Sequence, residues 1–246
     1  MKIDILSLFP SYFQGPFDVS MIKRAIEAGL IEINHVNIRD FSKDKHKKVD
    51  DRPFGGGPGM VMTPQPVIDA VKSRKNENSH VIYLSPQGKP LTAKKAESLA
   101  KRDHIILLCG HYEGIDQRAI DSSVDEEISI GDYILTNGCL SAIVLVDAMV
   151  RFIPNVLGHP EAAKEETFNE SLFDGPHFTR PEMYEDRKVP EVLLGGNHAE
   201  IQKWKIKEGL KKTRKVRPDL YVKYLLEKTK QVNKYQEGEI SCETKS

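Results

Sequence analysis

Four short apolar runs set the strongest limit on this chain: KIDILSLF at 2–9, IEINHVNI at 31–38, HVIYLSP at 80–86 and HIILLCG at 104–110. Each has the length of a β-strand and is bounded by turn-forming or polar residues. The stretches between them have helical spacing. VSMIKRAIEAGL, 19–30, puts Val19, Ile22, Ala25 and Ile26 on one face, with Ser20 as a candidate cap and Gly29 as a stop. Further helices are expected from Pro64 to Lys72 and over 91–102, starting near Thr92. Strands joined through helices imply crossovers, and so a mostly parallel α/β sheet. LSAIVLVDAMVRFI, 140–153, is apolar on nearly every face. Its length, and the placing of Asp147 and Arg151 four apart, favour a buried helix over a strand, stopped by Pro154.

Beyond this region the pattern changes. HPEAAKEETFNE, 159–170, has few large apolar residues and is expected to be a solvated connector. The remainder holds two or three amphipathic helices, in NHAEIQKWKIKEGLKKT and PDLYVKYLLEKTKQVNKY. The expected organisation is therefore 1–158 as an α/β domain, 159–170 as a linker and 171–246 as a smaller all-helical domain, a division that 246 residues readily support. No window is apolar enough for a bilayer, and Asp4 interrupts the first run, which reads as a strand rather than a signal peptide. The expectation is a cytoplasmic protein that does not engage a membrane. Cys109, Cys139 and Cys242 form neither a disulfide framework nor a zinc-type pair.

Three loops carry the candidate chemistry. YLSPQGKPLT, 83–92, turns sharply at Pro86 and Gly88, though such turns end many strands without holding a ligand. LLCGHYEGIDQR, 107–118, leaves a buried strand for His111, Tyr112 and Glu113 between Gly110 and Gly114; Glu113 and Asp116 would equally suit the first turn of a helix. EISIGDYILTNGCLSA, 127–142, places Gly131, Asn137 and Gly138 around a short apolar run. Converging, the three would make one concave, partly apolar site for a nucleotide-like ligand. GGGPG at 55–59 lacks the Lys-Ser/Thr ending of a P-loop, and no GxGxxG precedes a helix, so neither ATP hydrolysis nor nicotinamide chemistry is indicated.

Basic and acidic residues balance at 36 each, so only local clustering speaks to nucleic acid. Residues 203–217 hold eight basic residues and one acid, which suits either RNA phosphates or a solubilising helix face. Trp204 could stack on a base or, at helical spacing from Ile201, pack in a core. SKDKHKKVDDRP, 42–53, is a second basic patch, followed by a glycine-rich segment that could bind a ligand or simply turn. Asn197 is a candidate N-cap, and His177 and His198 read first as structural.

VDDRPFGGGPGMVM, YLSPQG, LLCGHYEGID, ISIGDYILTNG, PHFTRPEMY and GGNHAEIQKWK together resemble the bacterial tRNA (guanine-N1)-methyltransferase family, of the knotted, S-adenosylmethionine-dependent SPOUT methyltransferase superfamily, over residues 1 to about 225. The resemblance implies a homodimer with a composite active site and a deep C-terminal trefoil knot in the N-terminal domain. It implies S-adenosylmethionine bound bent against loops 83–90, 109–116 and 129–141, with contacts from Tyr83, Leu84, Ser85, Pro86, Gly88, Cys109, Gly110, Tyr112, Glu113, Gly114, Ser129, Ile130, Gly131, Tyr133, Leu135, Asn137 and Gly138. It further implies methyl transfer to N1 of the guanine immediately 3′ of the anticodon (position 37), a tRNA partner gripped by the helical domain, and dependence on magnesium (Mg2+) at a site the sequence does not locate. Asp50 and Arg52 would lie near the active site, orienting tRNA or securing the dimer.

Granted that reaction, guanine N1 needs a base to take its proton and a cation or donor to meet the charge that moves toward O6. By motif position Arg151 takes the O6 side; without the resemblance it would read as an ion pair with Asp147. The family's Asp-Ser-Phe base segment is Glu166, Thr167 and Phe168 here, so the base is Glu166 with an adjusted backbone, or Asp174 in a larger role. Other departures are His111 for arginine, Asn137 for glycine, Cys139 for an acid and Ser171 for glycine. The alternative they leave open is a catalytically impaired or non-enzymatic RNA-binding protein on the same scaffold.

Overall fold

The computed structural model describes residues 1–157, 168 and 171–229. Two compact units divide at Ala163/Lys164. In the first, chain order gives β1 (Lys2–Ser7), α1 (Ser20–Glu27), β2 (Glu32–Asn37), β3 (Asp50–Asp51), β4 (Val61–Met62), α2 (Pro64–Arg74), β5 (Ser79–Pro90), α3 (Ala93–Ala100), β6 (His104–Cys109), α4 (Gln117–Ser123), β7 (Glu126–Ser129) and α5 (Cys139–Val150). The central sheet has the order β2-β1-β6-β5-β7, and every pairing in it is parallel. All six residues of β6 are buried, as a parallel strand covered on both faces requires.

Side chains alternate between two cores. Ile3, Ile5, Ile82, Leu84, Ile105 and Leu107 pack with α1, α3 and α5. Leu6, Val81, Tyr83, Ile106 and Leu108 pack with α2 and α4 on the opposite face. The strand period of two thus decides which helices each strand residue meets. α1 begins at Ser20 itself, after Val19, with no side-chain cap, so Ser20 is not the cap its position suggested. Gly29 does end the helix, at φ +67°, with Leu30 N–H donating to the Ala25 carbonyl at 2.9 Å. Thr92 caps α3 by accepting from the Lys95 amide. α5 is apolar except for Ser141 and Asp147 and is buried on one face only: Leu145, Val146 and Met149 are fully covered, whereas Leu140 and Val144 are 41% and 45% exposed.

The strands begin around a closed polar cluster. Asp4, wholly buried, accepts from Asn34 Nδ2 at 3.0 Å, and its other oxygen lies 3.0 Å from His104 Nε2. His104 Nδ1 is 2.8 Å from Ser79 Oγ. This joins β2, β1, β6 and β5 at their N-terminal ends.

The second unit contains β8 (Met183–Tyr184) antiparallel to β9 (Arg187–Lys188), α6 (Glu191–Leu194), α7 (His198–Val216) and a helix, α8, over 218–229. The short hairpin departs from the all-helical expectation. Asn197 caps α7 through the Glu200 amide. Gly209 and Thr213, one turn apart on α7, form a saddle for the incoming chain: a Cβ at 209 would strike the Phe173 carbonyl, and Thr213 Oγ1 accepts from the Phe173 amide at 2.8 Å. Trp204 is half-buried, its ring 6.3 Å from that of Phe178.

Candidate active site

At the opposite, C-terminal ends of β5, β6 and β7 the chain opens into a cleft of about 300 Å³. Its first wall comes from an interruption in β5. Leu84 and Lys89 both stand opposite Ile128 of β7, so residues 85–88 are pushed out of the ladder. Gly88 makes the return, since a Cβ there would collide with the Ile128 backbone. Ser85 Oγ accepts from the Gln87 amide at 3.1 Å.

The second wall is the turn after β6. Gly110 passes under the Tyr83 phenol, where a Cβ would come within 2.9 Å of the oxygen. This turn is bonded on both sides. Met62 N–H donates to the Gly114 carbonyl and Asp116 N–H to the Met62 carbonyl, both at 2.9 Å, while Gly138 N–H donates to the Gly110 carbonyl at 2.9 Å. Asp116 then caps α4, so the helix-cap reading of this acid holds. The third wall, 130–138, ends in a local turn in which Asn137 Oδ1 accepts from the Cys139 amide at 2.8 Å and starts α5.

Burial pushes the Tyr83 hydroxyl up to about 12, and the Ile115 backbone holds it, so it remains a neutral part of the wall. His111 is pushed below its usual value of 6.5, first by burial and then by the nearby Arg39, with Asp50 opposing. Its Nδ1 is buried without a hydrogen-bond partner, and its ring stands 5.2 Å from Phe9 and 4.5 Å from Tyr112. At neutral pH this residue offers a neutral imidazole where the family resemblance led one to look for a cation. Cys109 and Cys139 touch beneath the cleft; their contact and burial push the Cys109 thiol well up.

Of the residues expected to contact the methyl donor, Tyr83 to Pro86, Gly110, Tyr112 to Gly114, Ser129 to Gly131, Tyr133, Leu135, Asn137 and Gly138 all line this one cleft. Gly88 and Cys109 do not line it; they shape it from behind. Ile128, Ile134, Thr136 and Ser141 also line it. Ile128 was concealed because β7 has only four residues, too few for a legible period. Arg151 is not brought to the cleft by its own chain: α5 starts at the cleft wall and carries Arg151 away by about 18 Å at 1.5 Å per residue. Asp174 lies in the second unit, half-buried, and Glu166 lies outside the described residues. Among the described residues, no three His, Cys, Asp or Glu side chains gather so as to hold a metal, and none is assigned to magnesium.

A family model described as tRNA (Guanine-1)-methyltransferase TrmD matches residues 1–223. The chain belongs to that family. It is thereby an S-adenosylmethionine-dependent methyltransferase of the SPOUT superfamily that acts in tRNA modification. A tRNA (guanine-N(1)-)-methyltransferase of Protochlamydia amoebophila is 62% identical over 220 residues, covering 89% of this chain and 99% of the relative. One from Dictyoglomus turgidum is 52% identical over 223 residues, 91% of each. One from Chlamydia pneumoniae is 54% identical over 229 residues, 93% of this chain, which spans only 63% of that relative.

The cleft fits such a methyl donor. Leu84, Pro86, Ile130 and Leu135 offer apolar walls for an adenine ring, and turning backbone at 85–88 and 110–114 offers polar groups at its edges. Its volume is at the lower end of the range for small-molecule sites. Among the described residues no helix is long and apolar enough to cross a membrane.

Proposed function

We propose that the enzyme methylates N1 of the guanine immediately 3′ of the anticodon, in the cytoplasm, as a homodimer whose active site draws on both subunits. The observation that carries this reading is the position of Arg151. A cleft lined by the expected loops begins α5, while the arginine assigned to the O6 side ends it, about 18 Å off. A second copy supplying its own Arg151 resolves that separation. The exposed apolar face of α5, with Leu140 and Val144, is a surface a second subunit would cover. A deep trefoil knot in this unit is supported by the turn 110–116, which is bonded to 60–62 on one side and to 137–138 on the other.

When bound, S-adenosylmethionine supplies an electrophilic methyl group. The chain's own residues do the rest. The three walls hold the donor in line with N1, a positioning effect that is a large part of catalysis for so simple a transfer. Glu166 takes the N1 proton, with Asp174 as the competing base. Arg151 offsets charge developing on O6. Direct methyl transfer needs no covalent protein intermediate, so neither Cys109 nor Cys139 needs to act as a nucleophile, and contact with Cys139 and burial hold the Cys109 thiol protonated.

The test is incubation with labelled methyl donor and unmodified tRNA carrying guanine 3′ of the anticodon, followed by nucleoside analysis for 1-methylguanine. E166A should abolish turnover, and full activity in that variant would pass the base to Asp174. For the shared site, R151A and the cleft-blocking Gly138→Val should each be inactive alone. Subunits mixed and reassembled should regain roughly a quarter of wild-type activity, because half the dimers then own one complete site. No recovery would overturn the shared-site reading. A methyl found on a ribose, or elsewhere on the base, would overturn the N1 assignment.

A further inference from the structure

β3 and β4 form a small hairpin whose tip, 52–60, contains Phe54. That ring is 100% exposed, more than any other large apolar side chain described; Ile134 follows at 80%. Nothing about folding asks for it. Gly55, Gly56 and Gly57, which follow it, all have positive φ, and a Cβ on any of them would meet only open space, so the tip stands clear of the rest of the unit. The hairpin's base is firmly set. Met60 and Met62 are bonded to the backbone of 113–116, which forms the second wall of the cleft: Glu113 N–H donates to the Met60 carbonyl at 3.0 Å and Met62 N–H to the Gly114 carbonyl at 2.9 Å. Phe54 therefore stands at the tip of a hairpin rooted in a wall of the cleft.

We propose that Phe54 is a stacking residue for the tRNA substrate, its ring lying against a base that flanks the target guanine. The proposal rests on the N1 reading above. Guanine N1 is on the pairing edge of a base whose faces stack on its neighbours in the loop, so the base must leave that stack to enter an enclosed site. An aromatic ring that takes its place lowers the energy of the opened loop. A lone ring between Pro53 and three glycines suits a flat base better than it suits a protein surface, which presents a contiguous apolar patch. The charge nearby agrees, since residues 42–53 carry five Lys or Arg against three Asp.

The experiment compares wild type, F54A, F54W and F54L on natural tRNA and on tRNAs made abasic at one of the two positions flanking the guanine. F54A should lower kcat/KM by about 10–100-fold, as loss of one base–aromatic stack predicts. F54W should recover most of it and F54L little, with donor affinity unchanged. On one abasic substrate the wild type and F54A should become equal. A loss that persists unchanged on both abasic substrates, full rescue by leucine, a change in sedimentation mass, or F54A within twofold of wild type would each overturn the proposal. Failure of the N1 reading is distinguishable, because wild type itself would then form no 1-methylguanine.

Discussion

The two ends of one sheet have opposite characters. At the strand starts, Asp4, Asn34, His104 and Ser79 bond to each other across four strands, with the carboxylate and the imidazole buried. At the strand ends, the same β5 and β6 run into glycine turns that bond backbone to backbone and leave a cleft between them. Polar side chains satisfied by one another stabilise a fold; polar backbone held open by neighbouring backbone makes a site. The contrast predicts that stability and ligand binding can be damaged separately.

The largest separation should come from Gly88→Val. Its side chain meets the Ile128 backbone, which cannot move aside without unseating the 85–88 turn. Donor affinity, measured by calorimetry, should fall by about 100-fold or more, with the N-terminal cluster intact. Asp4→Ala should do the reverse. It leaves His104 and Asn34 facing a buried gap, and urea unfolding should show a loss of about 3–5 kcal/mol while donor affinity in the folded protein is unchanged. If Asp4→Ala also weakens binding by tenfold, the two ends are not independent. The smallest effect belongs to His111. Its native pKa is depressed, so as pH falls below 6.5 the unfolded chain takes up a proton that the native site resists, and stability declines on that acid limb. It is fully present above 6.5. H111Q should flatten that part of the stability–pH curve, and a curve identical to wild type would remove His111 as its source.

Much of the fold was legible because burial on both faces leaves nearly continuous apolar runs in β1 and β6, and because Gly29 and Thr92 do at helix ends what their chemistry favours. The interruption of β5 was not legible: that Leu84 and Lys89 share Ile128 is a matter of register between strands, and no local period encodes register. Nor was the one-sidedness of α5, whose outer face carries Leu140 and Val144 beside Asp147. Most residues that line the cleft could be named from motifs. Arg151 shows the limit of that approach, since its motif position does not say that α5 runs from the cleft wall and carries it away. Gly209 went unremarked because a glycine inside a helix gives no hint of the segment that will lie across it.

The shared partner of Leu84 and Lys89 has a consequence for affinity. Four residues pinned at both extremities by one neighbouring strand have little freedom left to surrender when a molecule arrives. Entry of the methyl donor should accordingly be limited by how well it matches a shape already in waiting, and rigid analogues cut to that shape should gain more than flexible ones of equal contact area.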